Sequence, residues 1–268
     1  MKSIMTKTER AKAAQDTLSY FNQGFYKIGG TTISCTSIYE TDFIPAVKLE
    51  SLKLSDGNCS PKYEVVNESV VGSVFRLAPA GVLNFASAKN PGGGFLNGAV
   101  AQEEALAISS DLYLSQLQAP EFYGINRQSK TALYTHNLIY SKGITFIRGA
   151  NMNTVPEPVK ANVITCPAAN AGAYYRNDRG SKETVRRVMA ERIRNILNVF
   201  AYKGDKTIIL GAYGCGVFGN DPADVAGIFY DILKREGLER HFEYISFAVY
   251  DRQGKQYKLF KQKFQSGS

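Results

Sequence analysis

The chain has 268 residues, 44% of them hydrophobic, with 32 Lys and Arg against 24 Asp and Glu, a formal net charge of +8. That length suffices for one large core, and no run approaches the ~20 apolar residues that a bilayer-spanning helix needs. The first residues, Met1-Lys2-Ser3-Ile4-Met5-Thr6-Lys7, lack the apolar centre of a signal peptide, and Cys35, Cys59, Cys166 and Cys215 lack metal-ligand spacing, so a cytoplasmic protein with reduced thiols and no membrane association is expected. The positive excess attracts polyanions, but Lys and Arg are scattered over both termini and residues 181–202, without the dense basic block of a nucleic-acid reader.

In chain order, Ala11, Ala14, Leu18 and Phe21 have helical spacing within residues 6–23. Residues 25–35 and 63–70 read as strands. Gly81–Ser87 is a short, mostly apolar run leading into a glycine loop, and helix is expected from about Ala99 to Leu117. Leu133–Tyr140 and Ile144–Arg148 read as two strands split by Lys142-Gly143, and residues 162–167 as a buried strand. Ser181 can cap a helix over 182–201, whose stripe of Val185, Val188, Met189, Ile193, Ile196, Leu197 and Phe200 reads as core packing. Thr207–Leu210 is a strand entering a second glycine-rich loop, Gly211–Asn220. Asp221-Pro222 opens a helix to about Glu236, with Pro tolerated in the first turn. Residues 244–250 form a last strand, and nothing structural is expected after Phe264. Strands alternating with helices argue α/β with a mixed sheet, and ligands of such sheets sit on loops beyond the strand carboxyl ends. Two strand–glycine loop–helix units on one edge would clamp the two sides of one diphosphate.

The first loop, Asn90-Pro91-Gly92-Gly93-Gly94, allows close backbone approach to a ligand, or is simply a tight turn. It carries neither a dinucleotide fingerprint nor a Walker loop. It feeds a helix N-terminus, a natural anion site, where Gln102-Glu103-Glu104 stand. Adjacent helical residues point about 100° apart, so one Glu can reach into a cleft while its neighbour does something else. Alternatively, both acids merely complement the helix dipole. The amides of the second loop suit an anion nest. Phe218 within it is either an anchor or a stacking partner for a sugar or base. The two histidines, His136 and His241, read as structural or surface residues, and no metal or cofactor is expected.

Together the loops resemble a known family. Leu-Asn-Phe-Ala-Ser-Ala-Lys-Asn-Pro-Gly-Gly-Gly from Leu83, followed seven residues later by Gln-Glu-Glu, is similar to the signature of poly(ADP-ribose) glycohydrolases. Gly-Ala-Tyr-Gly-Cys-Gly-Val-Phe-Gly-Asn-Asp-Pro (211–222) resembles the family's diphosphate loop, and Thr-Cys-Pro-Ala-Ala-Asn-Ala-Gly (165–172) its microbial branch. The resemblance covers roughly residues 10–255. It implies a macrodomain-like three-layer α/β/α fold with a mixed central sheet. Residues 1–24 would form a helical extension packed on the domain, 25–264 the catalytic domain and 265–268 a disordered tail. It also implies that Glu104 is the catalytic acid and that Glu103 helps hold the ribose at the scissile bond. Asn84 and Asn97 would lie in loops contacting the sugar. Gly92, Gly93, Gly94, Gln102, Gly214, Cys215, Gly216 and Asn220 would line the substrate. Val217 and Phe218 would line the diphosphate and orient the distal ribose. The motifs do not fix the adenine side, where Tyr250 and Asp251 are expected from their place at the end of the last strand. Segment 141–160 is more divergent, and Lys142 stands where the family often has Pro.

The implied activity is hydrolysis of ribose–ribose bonds, mainly from chain ends, on poly(ADP-ribose) or an ADP-ribosylated macromolecule, releasing ADP-ribose from a monomeric enzyme. A mono-ADP-ribosyl hydrolase and a non-catalytic ADP-ribose-binding module are the alternatives, and a reader would need the loops but not Glu104. A helix N-terminus lowers a carboxyl pKa whereas a general acid at neutral pH needs it raised. The expectation is that Glu104 becomes competent mainly in the complex, through burial and the substrate's diphosphate.

Overall fold

The structure is a computed structural model that describes residues 5–37 and 40–265. Helix α1 (Lys7–Gln23) begins at a capping box, Thr6 Oγ1 accepting from Glu9 N at 3.3 Å and Glu9 Oε2 from Thr6 N at 2.6 Å. The strand expected over 25–35 is a hairpin, β1 (Phe25–Ile28) and β2 (Thr31–Ser34), turning on Gly29-Gly30 and forming a sheet of its own. Next come β3 (Glu40–Ile44), the short α2 (Ala46–Leu49) and β4 (Lys62–Val66). The apolar run after β4 divides, because Ser69 Oγ accepts from Gly72 N at 3.2 Å and starts α3 (Val70–Leu77). Strand β5 (Gly81–Phe85) follows.

The single helix expected over 99–117 is two, α4 (Gln102–Ser109) and α5 (Leu112–Gln116), and α6 (Pro120–Gln128) comes after them. The break falls at Ser110-Asp111 for a tertiary reason. Ser110 bridges to Phe146, and the buried Asp111 turns inward, Oδ1 accepting from Thr145 N at 2.8 Å. Residues 138–148 form one strand, β6 (Leu138–Arg148), and Lys142-Gly143 is a bulge in it rather than a gap. Strand β7 (Thr154–Cys166) starts earlier than expected and leads to α7 (Ala171–Asn177). Then follow α8 (Lys182–Lys203), β8 (Thr207–Leu210), α9 (Pro222–Tyr230), extended by a π turn to Arg235, and β9 (Tyr244–Ala248). A last helix, α10 (Lys255–Gln265), stands where no element was expected and takes Gln265 out of the tail, whose residues 266–268 lie outside the described residues.

Seven strands form the main sheet in the order β3-β6-β7-β5-β8-β9-β4. Strands β7, β5, β8, β9 and β4 run parallel, β6 runs against β7, and β3 runs against β6. Neighbouring residues of a strand point to opposite faces. Leu83, Ile164, Ile208 and Phe247 accordingly pack with α8 and α9 side chains such as Ile193, Phe200 and Phe229, while Val82, Val163 and Ile209 pack with Val74 of α3 and Leu106 of α4. The result is the expected three layers around a mixed sheet. Helix α1 lies on the second layer. Ala13 and Ala14 pack against Phe95 and Ile108, Thr17 Oγ1 donates to the Ile108 carbonyl at 2.8 Å, and Arg10 Nε donates to the Gly98 carbonyl at 2.9 Å. No helix among the described residues is long and apolar enough to cross a membrane.

Phe247 joins α9 and α10 to the sheet, its ring centroid 5.4 Å from Phe229, 5.5 Å from Phe260 and 4.4 Å from Phe264. Truncating such a buried aromatic leaves a cavity, so Phe247→Ala should cost about 3–5 kcal/mol of unfolding free energy. Equilibrium denaturation read by circular dichroism checks this.

Candidate active site

Strands β5 and β8 are direct parallel neighbours, with Gly81 opposite Ile208 and Val82 opposite Ile209. Both glycine loops therefore leave the sheet at the same edge, from adjacent strands. Two further segments reach that edge. One is the connection from β7 to α7, and the other is residues 131–137, which enter β6 opposite the end of β7. Buried Arg192 of α8 ties these two together, donating to the carbonyls of Pro167 and Leu133 at 2.9 Å each.

The first loop is built on hydrogen bonds to side chains. Ser87 Oγ accepts from Lys89 N at 3.3 Å and Asn90 N at 3.1 Å, and Gln116 Oε1 accepts from Gly92 N at 2.7 Å. The chain then passes through a 3₁₀ turn at Phe95–Asn97, anchored by the buried Phe95 ring, 4.8 Å from Tyr113. Gly93 has φ of 60°, and a Cβ there would collide with Glu104 Oε1 and lie 3.2 Å from Glu103 Oε2. Only glycine lets the loop lie directly on the two carboxylates.

Those carboxylates diverge as helical geometry requires. Glu103 is buried, and three N–H groups converge on it. Asn84 Nδ2 donates to Oε1 at 3.1 Å, Gln116 Nε2 to Oε1 at 3.0 Å and Ser87 N to Oε2 at 2.6 Å. Thr165 Oγ1 accepts from the same two amides at 3.2 Å each. Burial pushes the Glu103 carboxyl up to about 7, outweighing the three donors, which favour the carboxylate; the neighbouring Glu104 charge raises it further. Glu104 is half-buried on the loop side, Oε1 accepting from Gly94 N at 3.0 Å.

Some of the residues expected to line the substrate have hydrogen-bond partners within the fold. Asn84 is fully buried, its amide committed to Glu103 and Thr165. Gln102 clips α4 to β5 in the manner of a sheet neighbour, Oε1 accepting from Phe85 N at 2.8 Å and Nε2 donating to the Leu83 carbonyl at 2.7 Å. Asn97 is exposed at the loop's far end. Gln116 and Ser87 were missed by sequence reasoning. A Gln late in a short helix and a Ser in a loop carry no signal until the fold brings them to Glu103.

In the second loop, Tyr213 is buried with its hydroxyl donating to the Cys166 carbonyl at 3.0 Å. Asn220 Nδ2 donates to the carbonyls of Ala169 at 2.8 Å and Gly214 at 3.1 Å, so it shapes the loop from within. Gly214 has φ of 73°, and a Cβ there would meet Ala168 Cβ at 2.5 Å and Asn220 Nδ2 at 2.6 Å. Cys215 also faces inward, its amide bonded to the Ala212 carbonyl at 3.1 Å and its thiol pushed up to about 12 by burial. The loop's outward part is Gly216-Val217-Phe218, with Val217 89% exposed. Among the described residues the amides of these three have no acceptor, which suits a diphosphate nest. Phe218 is half-buried beside Tyr134, centroids 6.1 Å apart, and its carbonyl accepts from Gly172 N at 3.0 Å. Tyr134 has φ of 59°, left-handed backbone that a tyrosine adopts only under constraint. At the end of β9, Tyr250 is exposed, but Asp251 is occupied. Its carboxylate accepts from Gln253 N at 2.9 Å and Gln256 N at 2.7 Å, starting α10 and lowering its pKa.

A family model described as the microbial-type PARG catalytic domain matches residues 14–149. The poly(ADP-ribose) glycohydrolase of Thermomonospora curvata is similar in structure, with a TM-score of 0.88 and 33% identity over 96% of this chain and 100% of that one. The same holds for its form bound to the inhibitor ADP-HPD, also at TM-score 0.88 and 33% identity. The poly(ADP-ribose) glycohydrolase of Deinococcus radiodurans, in complex with ADP-ribose, has a TM-score of 0.78 and 38% identity over 85% of this chain and 94% of that one. A search of the curated proteins returned no match.

Burial pushes the Glu103 carboxyl from its ordinary value of 4.5 up to about 7 in the fold. Below the lower value it is protonated in both states and contributes no difference. As pH rises through the interval only the unfolded chain ionises freely, so stability falls and then levels off. Urea denaturation between about pH 5 and about pH 8 should show wild type losing stability relative to Glu103→Gln, which cannot titrate. Parallel profiles would show that this carboxyl does not titrate there.

Proposed function

The chain belongs to the microbial-type poly(ADP-ribose) glycohydrolase family, and on that premise we propose that it shortens poly(ADP-ribose) from chain ends with Glu104 as the acid and base. The observation carrying the assignment is the division within the pair. One carboxylate is buried and held by three donors, and its neighbour faces the loop over the ligand edge.

Glycoside cleavage passes through an oxocarbenium-like transition state, and the leaving ribose oxygen needs a proton. Glu104 donates it as the C1–O bond breaks. Water then attacks the same carbon and returns its proton to the Glu104 carboxylate, so the products are ADP-ribose and a chain ending in a free 2′-hydroxyl. Two-carboxylate glycosidases place their groups on opposite sides of the bond. Here Glu103 lies behind Glu104 and serves to hold the ribose, while the substrate's own diphosphate, seated on Gly216–Phe218, positions the water. Phe218, packed beside Tyr134, orients the distal ribose, and Tyr250 flanks the adenine.

A positioned acid contributes ~10²–10⁴-fold to such a step. Glu104→Gln should lower the rate of ADP-ribose release by that order while ADP-ribose still binds in calorimetry. Equal release by both proteins would end the assignment. Binding without release by either would identify a reader of ADP-ribose instead. Gly93→Ala places a methyl where Glu104 Oε1 lies and displaces that carboxylate, so its loss should be comparable, with the thermal midpoint reporting that the fold persists.

A further inference from the structure

Resting on the glycohydrolase reading, we propose that Lys89 and Arg127 form a second subsite, which binds the diphosphate of the polymer unit left behind after cleavage. Strands β8, β5, β7 and β6 follow one another across the sheet, so the diphosphate loop, the carboxylate pair and the segment after α6 succeed one another along the ligand edge. A terminal unit with its diphosphate on the β8 loop and its scissile ribose at Glu104 hands the rest of the polymer to the far side of β5. The leaving oxygen belongs to the adenosine ribose of the next unit. That ribose carries the next diphosphate on its 5′ carbon, so two negative charges stand one sugar away from Glu104.

Two cations meet that position. Lys89 lies in the first glycine loop, and Arg127 stands in the last turn of α6 with Nε donating to the Lys89 carbonyl at 2.9 Å. Both are exposed, and neither is in ion-pair contact with a carboxylate among the described residues. Some other surface cations are paired locally, as Lys142 is with Glu40 and Arg194 with Glu236. The backbone at Lys89 is also linked to Glu103 through Ser87. Ser87 N donates to Glu103 Oε2 at 2.6 Å, and Ser87 Oγ receives the amides of Lys89 and Asn90. With Nε fixed on backbone, the outer edge of the Arg127 guanidinium is left for phosphate oxygens, the geometry that favours Arg at such sites. Lys130, also exposed, extends the positive edge past α6.

The subsite separates polymer from product, because free ADP-ribose has no following unit. In the double variant Lys89→Ala/Arg127→Ala, the KM for poly(ADP-ribose) should rise about ten-fold and depend less steeply on salt, since phosphate contacts are lost. The Kd for ADP-ribose, measured by calorimetry, should stay at the wild-type value, and Lys89→Arg should retain most of the polymer affinity. An unchanged polymer KM, or an ADP-ribose Kd that weakens in step with it, would overturn the subsite. Wild-type protein that releases no ADP-ribose from polymer would overturn the activity itself, which a hydrolysing wild type with an unaffected double variant would not.

Discussion

A carboxylate sealed from water must be given hydrogen bonds by the protein or lose its charge, and much of this site follows from how Glu103 is treated. Its three donors come from three places in the chain: Asn84 at the end of β5, Ser87 just beyond it, and Gln116 at the end of α5. Each has a second attachment. Asn84 and Gln116 share Thr165 at the end of β7, Gln116 holds Gly92, and Ser87 folds the turn at Lys89-Asn90. One buried acid thus links two strands, two helices and the glycine loop. The raised pKa of Glu103 records that the donors only partly compensate the burial.

The break between α4 and α5 belongs to the same arrangement. A continuous helix would carry the chain straight past the site, whereas the turn at Ser110-Asp111 brings Gln116 back to Glu103 and Gly92. Asp111 is itself a buried acid held by Thr145 N, its carboxyl pushed up to about 6 by burial. Two costly buried carboxylates therefore bracket the segment, one fixing its start and one its corner. Such local conflicts with simple patterning are what functional sites tend to contain.

The loops and the carboxylate pair were legible in the sequence because glycine runs and adjacent acids are local signals. So were α8, with its unbroken stripe, and β8, whose observed span coincides with its apolar run. The elements misjudged are those settled by contacts distant in sequence. Residues 99–117 have the composition of one helix, and only the bridge to Phe146 divides them. The bulge at Gly143 looks like a loop until β7 pairs on both sides of it. Helix α10 hides among lysines, yet Tyr257, Phe260 and Phe264 are spaced for one face and find their partner in Phe247. Polar roles followed the same rule. Asn84, Gln102 and Asn220 look like ligand contacts from their place in the motifs, and Asp251 from its place at the end of the last strand. Each is also bound to the protein's own backbone or to Glu103, because a close approach of loops to a sheet edge leaves many N–H and C=O groups that need partners.

Adjacent carboxylates on one helical turn cannot be adjusted independently. With Gln102 clipped to β5 and Glu103 locked inward, the rotation of α4 about its own axis is set, and Glu104 must project about 100° away. What remains free is the side chain's reach, and the Gly94 amide fixes that by holding Oε1 at 3.0 Å. The loop can supply this amide only by passing so close that position 93 has no room for a Cβ. The glycine triplet is therefore coupled to the acid pair through direct contact. A side chain at Gly93 would displace Glu104 before it could touch a ligand, which is why the spacing between triplet and pair carries more information than either alone.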